Sequence, residues 1–233
     1  TLLLIGPKGS GKSSLVNKIS RVFETGVSGS SRAPVSCGHK SPPENGTYFL
    51  SEYVIPRGSG SFCFYDTRGL SDELIENEKT LERWMTKGVR HGELIERRSD
   101  SAELRARLKL KAKRAAAPPI ESRTVDFVIF VVNAISIMES MNDDGNEAGH
   151  LKTIIVSCYD NALLSFRDEK PVVVVTHGDL LPLRARARIR VFLGNLLGIP
   201  PAYQIFDIPE SHDPATTMAI FDMLVYVLSR ADE

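Results

Sequence analysis

The residues best equipped for chemistry stand at the start of the chain. Residues 6–14 read Gly6-Pro7-Lys8-Gly9-Ser10-Gly11-Lys12-Ser13-Ser14. They fit the pattern G-x-x-x-x-G-K-[ST] through Gly6, Gly11, Lys12 and Ser13. The chemistry is phosphate binding. Gly6, Gly9 and Gly11 let the backbone curl so that successive N–H groups point at phosphate oxygens. The positive end of a following helix adds to that field. Lys12 then reaches the β- and γ-phosphates, and the Ser13 hydroxyl ligates Mg²⁺. Lys8, Ser10 and Ser14 complete the candidate nucleotide contacts.

Two later strings could serve the same ligand. Asp66-Thr67-Arg68-Gly69 follows an apolar strand, so the Asp66 carboxylate at the strand end can hold Mg²⁺ and the Gly69 N–H can bind a γ-phosphate. Loss of that phosphate would free Gly69 and release the helix after it. Thr176-His177-Gly178-Asp179 follows a Val-rich strand. One edge of guanine presents two donors, N1–H and the N2 amino group, which a single carboxylate can accept together. Adenine presents a lone pair at N1, and Asp179 would reject it. His177 would lie against the face of the base.

These groups need strands and helices to position them. Thr1 to Ile5 reads as a buried strand, and 14–24 carries helical periodicity through Leu15, Val16, Ile19, Val22 and Phe23. Residues 25–46 are rich in Gly, Ser and Pro, a long loop of the kind that carries function. Strands are expected over 47–55 and 61–65 around a Pro56–Gly60 turn, giving a β-hairpin before Asp66. A helix is expected from about Ser71, with Leu74, Leu81, Trp84, Met85 and Val89 as its apolar stripe. Another runs from Ser99 or Ser101 to Ala117, stopped by Pro118-Pro119. Strands at 125–132, 171–176 and 203–207 alternate with helices at about 147–166, 183–197 and 214–229. Asp213-Pro214 reads as the cap and first residue of the last helix. The order predicts one α/β domain over 1–233, a mostly parallel sheet with one antiparallel hairpin strand and helices on both faces.

Bulk properties exclude several classes. Lys plus Arg and Asp plus Glu are 29 each, so net charge gives no reason to expect nucleic acid or membrane as a partner. Cys37, Cys63 and Cys158 are too few and too irregular for a disulfide framework, which points to a reducing compartment such as the cytoplasm. No apolar run is long enough to span a bilayer. The chain opens in a strand without Met and reads as an excised piece. Residues 97–119 form a basic helical insertion (Arg97, Arg98, Arg105, Arg107, Lys109, Lys111, Lys113, Arg114) whose plainest reading is a solvated face. Asn142-Asp143-Asp144-Gly145-Asn146 starts like a calcium loop but has no Glu at its twelfth position.

The three strings together resemble the G1, G3 and G4 motifs of translation-factor-class (TRAFAC) P-loop GTPases, over essentially the whole chain. The hairpin before Asp66 is similar to that class and unlike the all-parallel core of nucleotide kinases. Among its branches the chain looks closest to the septin, dynamin and immunity-associated GTPases. More narrowly, Gly46-Thr47-Tyr48 with Tyr65-Asp66-Thr67-Arg68-Gly69 is similar to the interferon-induced protein 44-like group and its plant relatives.

The resemblance implies a three-layer, Ras-like G domain that binds GTP and GDP with Mg²⁺. It implies a Mg²⁺-binding Thr just before the second strand: Thr47 fits, with Ser36 and Ser41 as alternatives. The 25–46 loop becomes switch I, and Arg68 to about Glu78 becomes switch II. Ser-Ala-Lys, the usual G5 motif, is replaced by Ile208-Pro209-Glu210-Ser211, and His177 stands where family members carry Lys. Leu70 stands where Ras-like members carry a water-positioning Gln. Hydrolysis by the chain alone is therefore expected to be slow and to be completed by a homodimer across the nucleotide face or by a partner. Lys12, Thr47 and Gly69 are the expected catalytic groups, with Lys8 and Arg68 as candidates for added positive charge. A scaffold that binds nucleotide and has lost hydrolysis is the alternative, and an ATP-dependent kinase or ATPase is disfavoured by Asp179 and the hairpin.

Overall fold

Strands with no polar alternation must be covered on both faces, and this requirement shapes the molecule. The computed structural model describes residues 1–24, 32–33, 47–58, 62–114, 121–142, 145–166 and 168–231. β1 (Leu2–Ile5), β4 (Phe127–Asn133) and β5 (Val172–Thr176) lie at the centre of a six-stranded sheet, almost every residue buried. β2 (Ser51–Ile55) pairs antiparallel with β3 (Phe62–Asp66), and β6 (Ile205–Asp207) forms the other edge. The order is β2-β3-β1-β4-β5-β6, with all other pairings parallel.

Successive side chains of each strand feed opposite layers. Leu2, Leu4, Phe127, Ile129, Val172 and Val174 pack against α1 (Lys12–Phe23) and α8 (Pro214–Ala231). Leu3, Ile5, Val128, Phe130, Val173 and Val175 pack against α2 (Leu74–Lys87), α5 (Asn146–Tyr159) and α6 (Leu183–Leu197). The three-layer α/β architecture is the one the sequence implied. No helix among the described residues is long and apolar enough to cross a membrane.

Several element bounds differ from expectation, each for a local reason. The helix expected over 147–166 is α5, which begins after an extended Gly145 and ends at Tyr159; ahead of it stands a helix the sequence reading did not place, α4 (Ala134–Asn142), started by the Asn133 side chain accepting the Ile135 N–H at 2.9 Å. α2 begins at Leu74, not Ser71. The Ser71 backbone is clamped by Asn77, whose Oδ1 accepts the Ser71 N–H at 2.7 Å and whose Nδ2 donates to the Ser71 carbonyl at 2.8 Å. The strand expected from Thr47 begins at Ser51, because residues 48–50 pair with 92–95: Ile95 N–H donates to Tyr48 O at 2.9 Å and Leu50 N–H to Glu93 O at 2.9 Å. Val89 accordingly leaves α2 and bridges to Arg123. The start of the strand expected at Tyr203 is the short helix α7 (Pro201–Gln204), with Pro in its first turn. α3 (Ala102–Arg114) starts at Ser101, whose hydroxyl accepts the Leu104 N–H at 3.1 Å. Of Leu104, Leu108 and Ala112, only Leu108 is buried, so α3 lies on the surface. Apart from Arg32 and Ala33, the loop expected to be switch I, with Ser36, Cys37 and Ser41, lies outside the described residues, as does the Pro118-Pro119 stop.

Candidate functional site

β1 delivers the chain into the glycine loop, and α1 leaves it. Gly11, just before the helix, has φ of 86°, a left-handed conformation that glycine adopts without strain. The loop is fixed from three sides. The Thr176 hydroxyl, at the end of β5, lies 2.7 Å from Ser10 O and 3.1 Å from Val132 O, and one of them takes its proton. Asn133 Nδ2, at the end of β4, donates to Gly9 O at 3.3 Å. Leu70 N–H donates to Gly6 O at 2.9 Å. Gly69 must be glycine here, because a Cβ would sit 2.5 Å from the Lys8 Cα.

Lys12 is buried and folds back onto its own loop, donating to Gly6 O and Pro7 O at 3.0 Å each and to Ser10 Oγ at 3.3 Å. Burial pushes its pKa down to about 8, against the pull of Asp66. An ammonium held so, with only loop carbonyls and a hydroxyl around it, favours an incoming polyanion. Ser13 Oγ donates to Asp66 Oδ2 at 2.5 Å and lies 3.4 Å from Thr47 Oγ1. Ser13, Thr47 and Asp66 thus meet at one point although they are far apart in sequence. Burial pushes the Asp66 pKa up, and its Oδ1 is buried without a hydrogen-bond partner among the described residues.

That orphaned oxygen is the test of whether Mg²⁺ fits. Mg²⁺ prefers hard oxygen ligands, keeps waters, and is held by one or two carboxylates plus substrate phosphates. Asp66, Ser13 and Thr47 supply such a set. Among the described residues no cluster of three His, Cys, Asp or Glu side chains offers a protein-only cage. Bound there, Mg²⁺ would neutralise charge on phosphate oxygens, while Asp66, Ser13 and Thr47 would orient it.

At the other end of the groove, His177 has φ of 57°, and its Nδ1 lies 2.8 Å from the Thr176 hydroxyl. Its ring stands 3.2 Å from where a Gly11 Cβ would be, so the histidine is pressed against the start of α1. Asp179 is exposed, and its Oδ1 accepts the Glu210 N–H at 3.0 Å. The loop around Glu210 therefore meets the Asp179 carboxylate directly. Asp207, at the end of β6, pairs with Arg186 at 2.6 Å beneath Gly178.

Arg68 departs from its expected role. Its guanidinium is committed to Asp100, at 2.7 and 2.5 Å, and to Ile95 O at 2.9 Å, and it stacks 4.7 Å from the Tyr48 ring centroid. It is neither exposed nor free to supply charge to another molecule. Lys8 is exposed. Three positioning residues escaped the sequence reading. Thr176 stood inside a quoted string and could have been found there; Asn133 and Asp100 carried no local signal.

No protein-family model matches the chain, and no curated protein matches it in sequence. Solved structures do. The chain superposes on a probable GTP-binding protein, EngB, with a TM-score of 0.50 at 13% identity, over 98% of this chain and 99% of that one. It also aligns with the septin GTPase domain from Chlamydomonas reinhardtii (TM-score 0.38, 19% identity, 83% of this chain and 58% of that chain). A third alignment is with the signal recognition particle receptor SRb-GTP/SRX complex from Chaetomium thermophilum (TM-score 0.45, 15% identity, 97% and 96%). The first of these establishes the fold, that of a Ras-like G domain.

Proposed function

We propose that this chain is a guanine-nucleotide-binding G domain that hydrolyses GTP slowly with Mg²⁺ and acts as a nucleotide-controlled switch or assembly module. The observation that carries this is the meeting of Ser13, Thr47 and Asp66, with an Asp66 oxygen that has no hydrogen-bond partner among the described residues, beside a glycine loop that encloses Lys12. In this reading the Gly6–Ser14 backbone and Lys12 hold the phosphates, and Ser13, Thr47 and Asp66 hold Mg²⁺. Asp179 accepts from the guanine edge, with His177 against the base. Residues 25–46 and 68–78 are the two switches of one domain.

Hydrolysis needs a water placed in line with the γ-phosphate. Leu70 cannot hold one: its side chain is apolar, and its N–H already donates to Gly6 O. An unaided site of this kind turns over at ~10⁻⁴ per second, and an added arginine supplies about 10⁵-fold. Completion by a second copy or a partner accounts for the missing group. Turnover per molecule measured against protein concentration tests this. A rate that climbs with concentration is expected; a fast rate independent of concentration contradicts it.

A second reading is a nucleotide-binding scaffold that does not hydrolyse. It is favoured by Leu70 and by the bond that already links Asp179 to Glu210 at the base end.

A further inference from the structure

A lysine ammonium is seldom buried unless something pairs with it. Lys18 of α1 is buried, and its Nζ has no hydrogen-bond partner among the described residues. Its helical face gives its direction. Gly11, Ser14, Lys18 and Arg21 follow one another at helical spacing along one side of α1. At the start of that side, a Cβ on Gly11 would stand 3.2 Å from the His177 ring. At its end, Arg21 Nη1 lies 3.1 Å from His212 Nε2. The two loops that carry these histidines meet in between, where the Glu210 N–H donates to Asp179 Oδ1 at 3.0 Å. Lys18, between Gly11 and Arg21, faces that contact. Helical side chains lean toward the N-terminus of their helix, so the Lys18 stem reaches back toward Ser14 and the glycine loop. The charges around it agree with this placement: burial lowers its pKa, and Glu210, Asp179 and Asp213 pull it back up.

A guanine seated on Asp179 would leave one group of its edge unmet. N1–H and the N2 amino group donate to the carboxylate, but the O6 carbonyl beside N1 needs a donor of its own. The backbone next to Asp179 has none to offer over 208–210. The Ile208 N–H already donates to Val175 O at 2.9 Å, Pro209 has no N–H, and the Glu210 N–H is taken by Asp179 itself. An ammonium is a donor only, and Lys18 is the donor that faces this loop without a partner among the described residues.

We propose that Lys18 is a specificity-determining residue that donates from Nζ to guanine O6 beside Asp179. The proposal rests on the guanine-nucleotide reading above. Lys18 and Asp179 then read one edge between them, the acceptor by the ammonium and the two donors by the carboxylate. Adenine presents its N6 amino group where guanine presents O6, and an ammonium cannot accept from it. Adenine is thus refused twice, once by each residue. The unpaired ammonium destabilises the empty chain, and the base relieves it on binding.

The test is calorimetric titration of the full chain in Mg²⁺, as wild type, Lys18→Met and Lys18→Arg, with GDP and with 6-thio-GDP. The analogue keeps N1–H and the N2 amino group and replaces O6 by sulfur, a weak acceptor. Wild type should bind GDP about 10- to 100-fold more tightly than 6-thio-GDP. Lys18→Met should lose about 10- to 100-fold on GDP and stay within about twofold of wild type on 6-thio-GDP, so that the two ligands become nearly equal. Lys18→Arg keeps a donor and should keep the preference for GDP. A Lys18→Met variant that binds GDP like wild type, or that loses both ligands equally, would overturn the proposal. Should Lys18→Met fail to fold, a wild type that binds GDP and 6-thio-GDP alike overturns it without the variant. A wild type that binds no guanine nucleotide would overturn the underlying reading instead, and this inference with it.

Discussion

Arg68 and Asp100 meet fork to fork, Nη1 at 2.7 Å from Oδ2 and Nη2 at 2.5 Å from Oδ1, with side chains only 13% and 3% exposed. The pair ties the residue before Gly69 to the turn before α3. Removing one partner of such a pair leaves a buried charge uncompensated. Asp100→Ala should therefore cost about 3 kcal/mol in denaturant unfolding. A loss below about 0.5 kcal/mol, the level of an ordinary surface change, would show that the fork does not hold the segment.

Lys18 presents the opposite case. It is 5% exposed, its Nζ is buried without a hydrogen-bond partner among the described residues, and burial pushes its pKa down, opposed by Glu210, Asp179 and Asp213. It lies on the α1 face between Gly11, which abuts Thr176 and His177, and Arg21, whose Nη1 is 3.1 Å from His212 Nε2. A buried polar group without a hydrogen bond costs about 1–3 kcal/mol. Lys18→Met keeps the stem and removes the charge, so the nucleotide-free chain should unfold at higher denaturant by a margin in that range. A destabilised variant would mean that the ammonium has a partner.

Asp213 gives a pH dependence with a definite sign. Hydrogen bonds from the Ser211 hydroxyl and the Thr216 N–H hold its pKa at about 2, below the ordinary 3.8. A folded pKa below the unfolded one means stability that is fully present above about pH 4 and lost as pH falls through about 2. Asp213→Asn can still cap α8 but cannot titrate. The gap between wild type and Asp213→Asn in urea unfolding should be constant from pH 7 to about pH 5 and close towards pH 2. A gap that does not change with pH contradicts the capping role.

Much of this was legible in the chain because the signals are local. Thr1–Ile5 followed by Gly6–Ser14 and a 3.6-residue period writes strand, loop and helix in one short stretch, and the Val-rich 172–176 run can only be a strand covered on both faces. Asp66 was legible because it ends a strand. What escaped depends on contacts distant in sequence. Tyr48–Leu50 has strand-like residues, but its partners are 92–95 and not β3, so periodicity could not show where β2 begins. Arg68 looked exposed because nothing near it in sequence announces Asp100.

The central claim is that the Lys12 loop and Asp179 together select a guanine nucleotide. The most direct measurement is calorimetric titration of the chain with GDP and with ADP in Mg²⁺. The account predicts saturable binding of GDP and ADP binding weaker by at least about 10²-fold, because adenine meets Asp179 with a lone pair and leaves a polar group unpaired. Equal affinities for the two, or no binding of either, would contradict it.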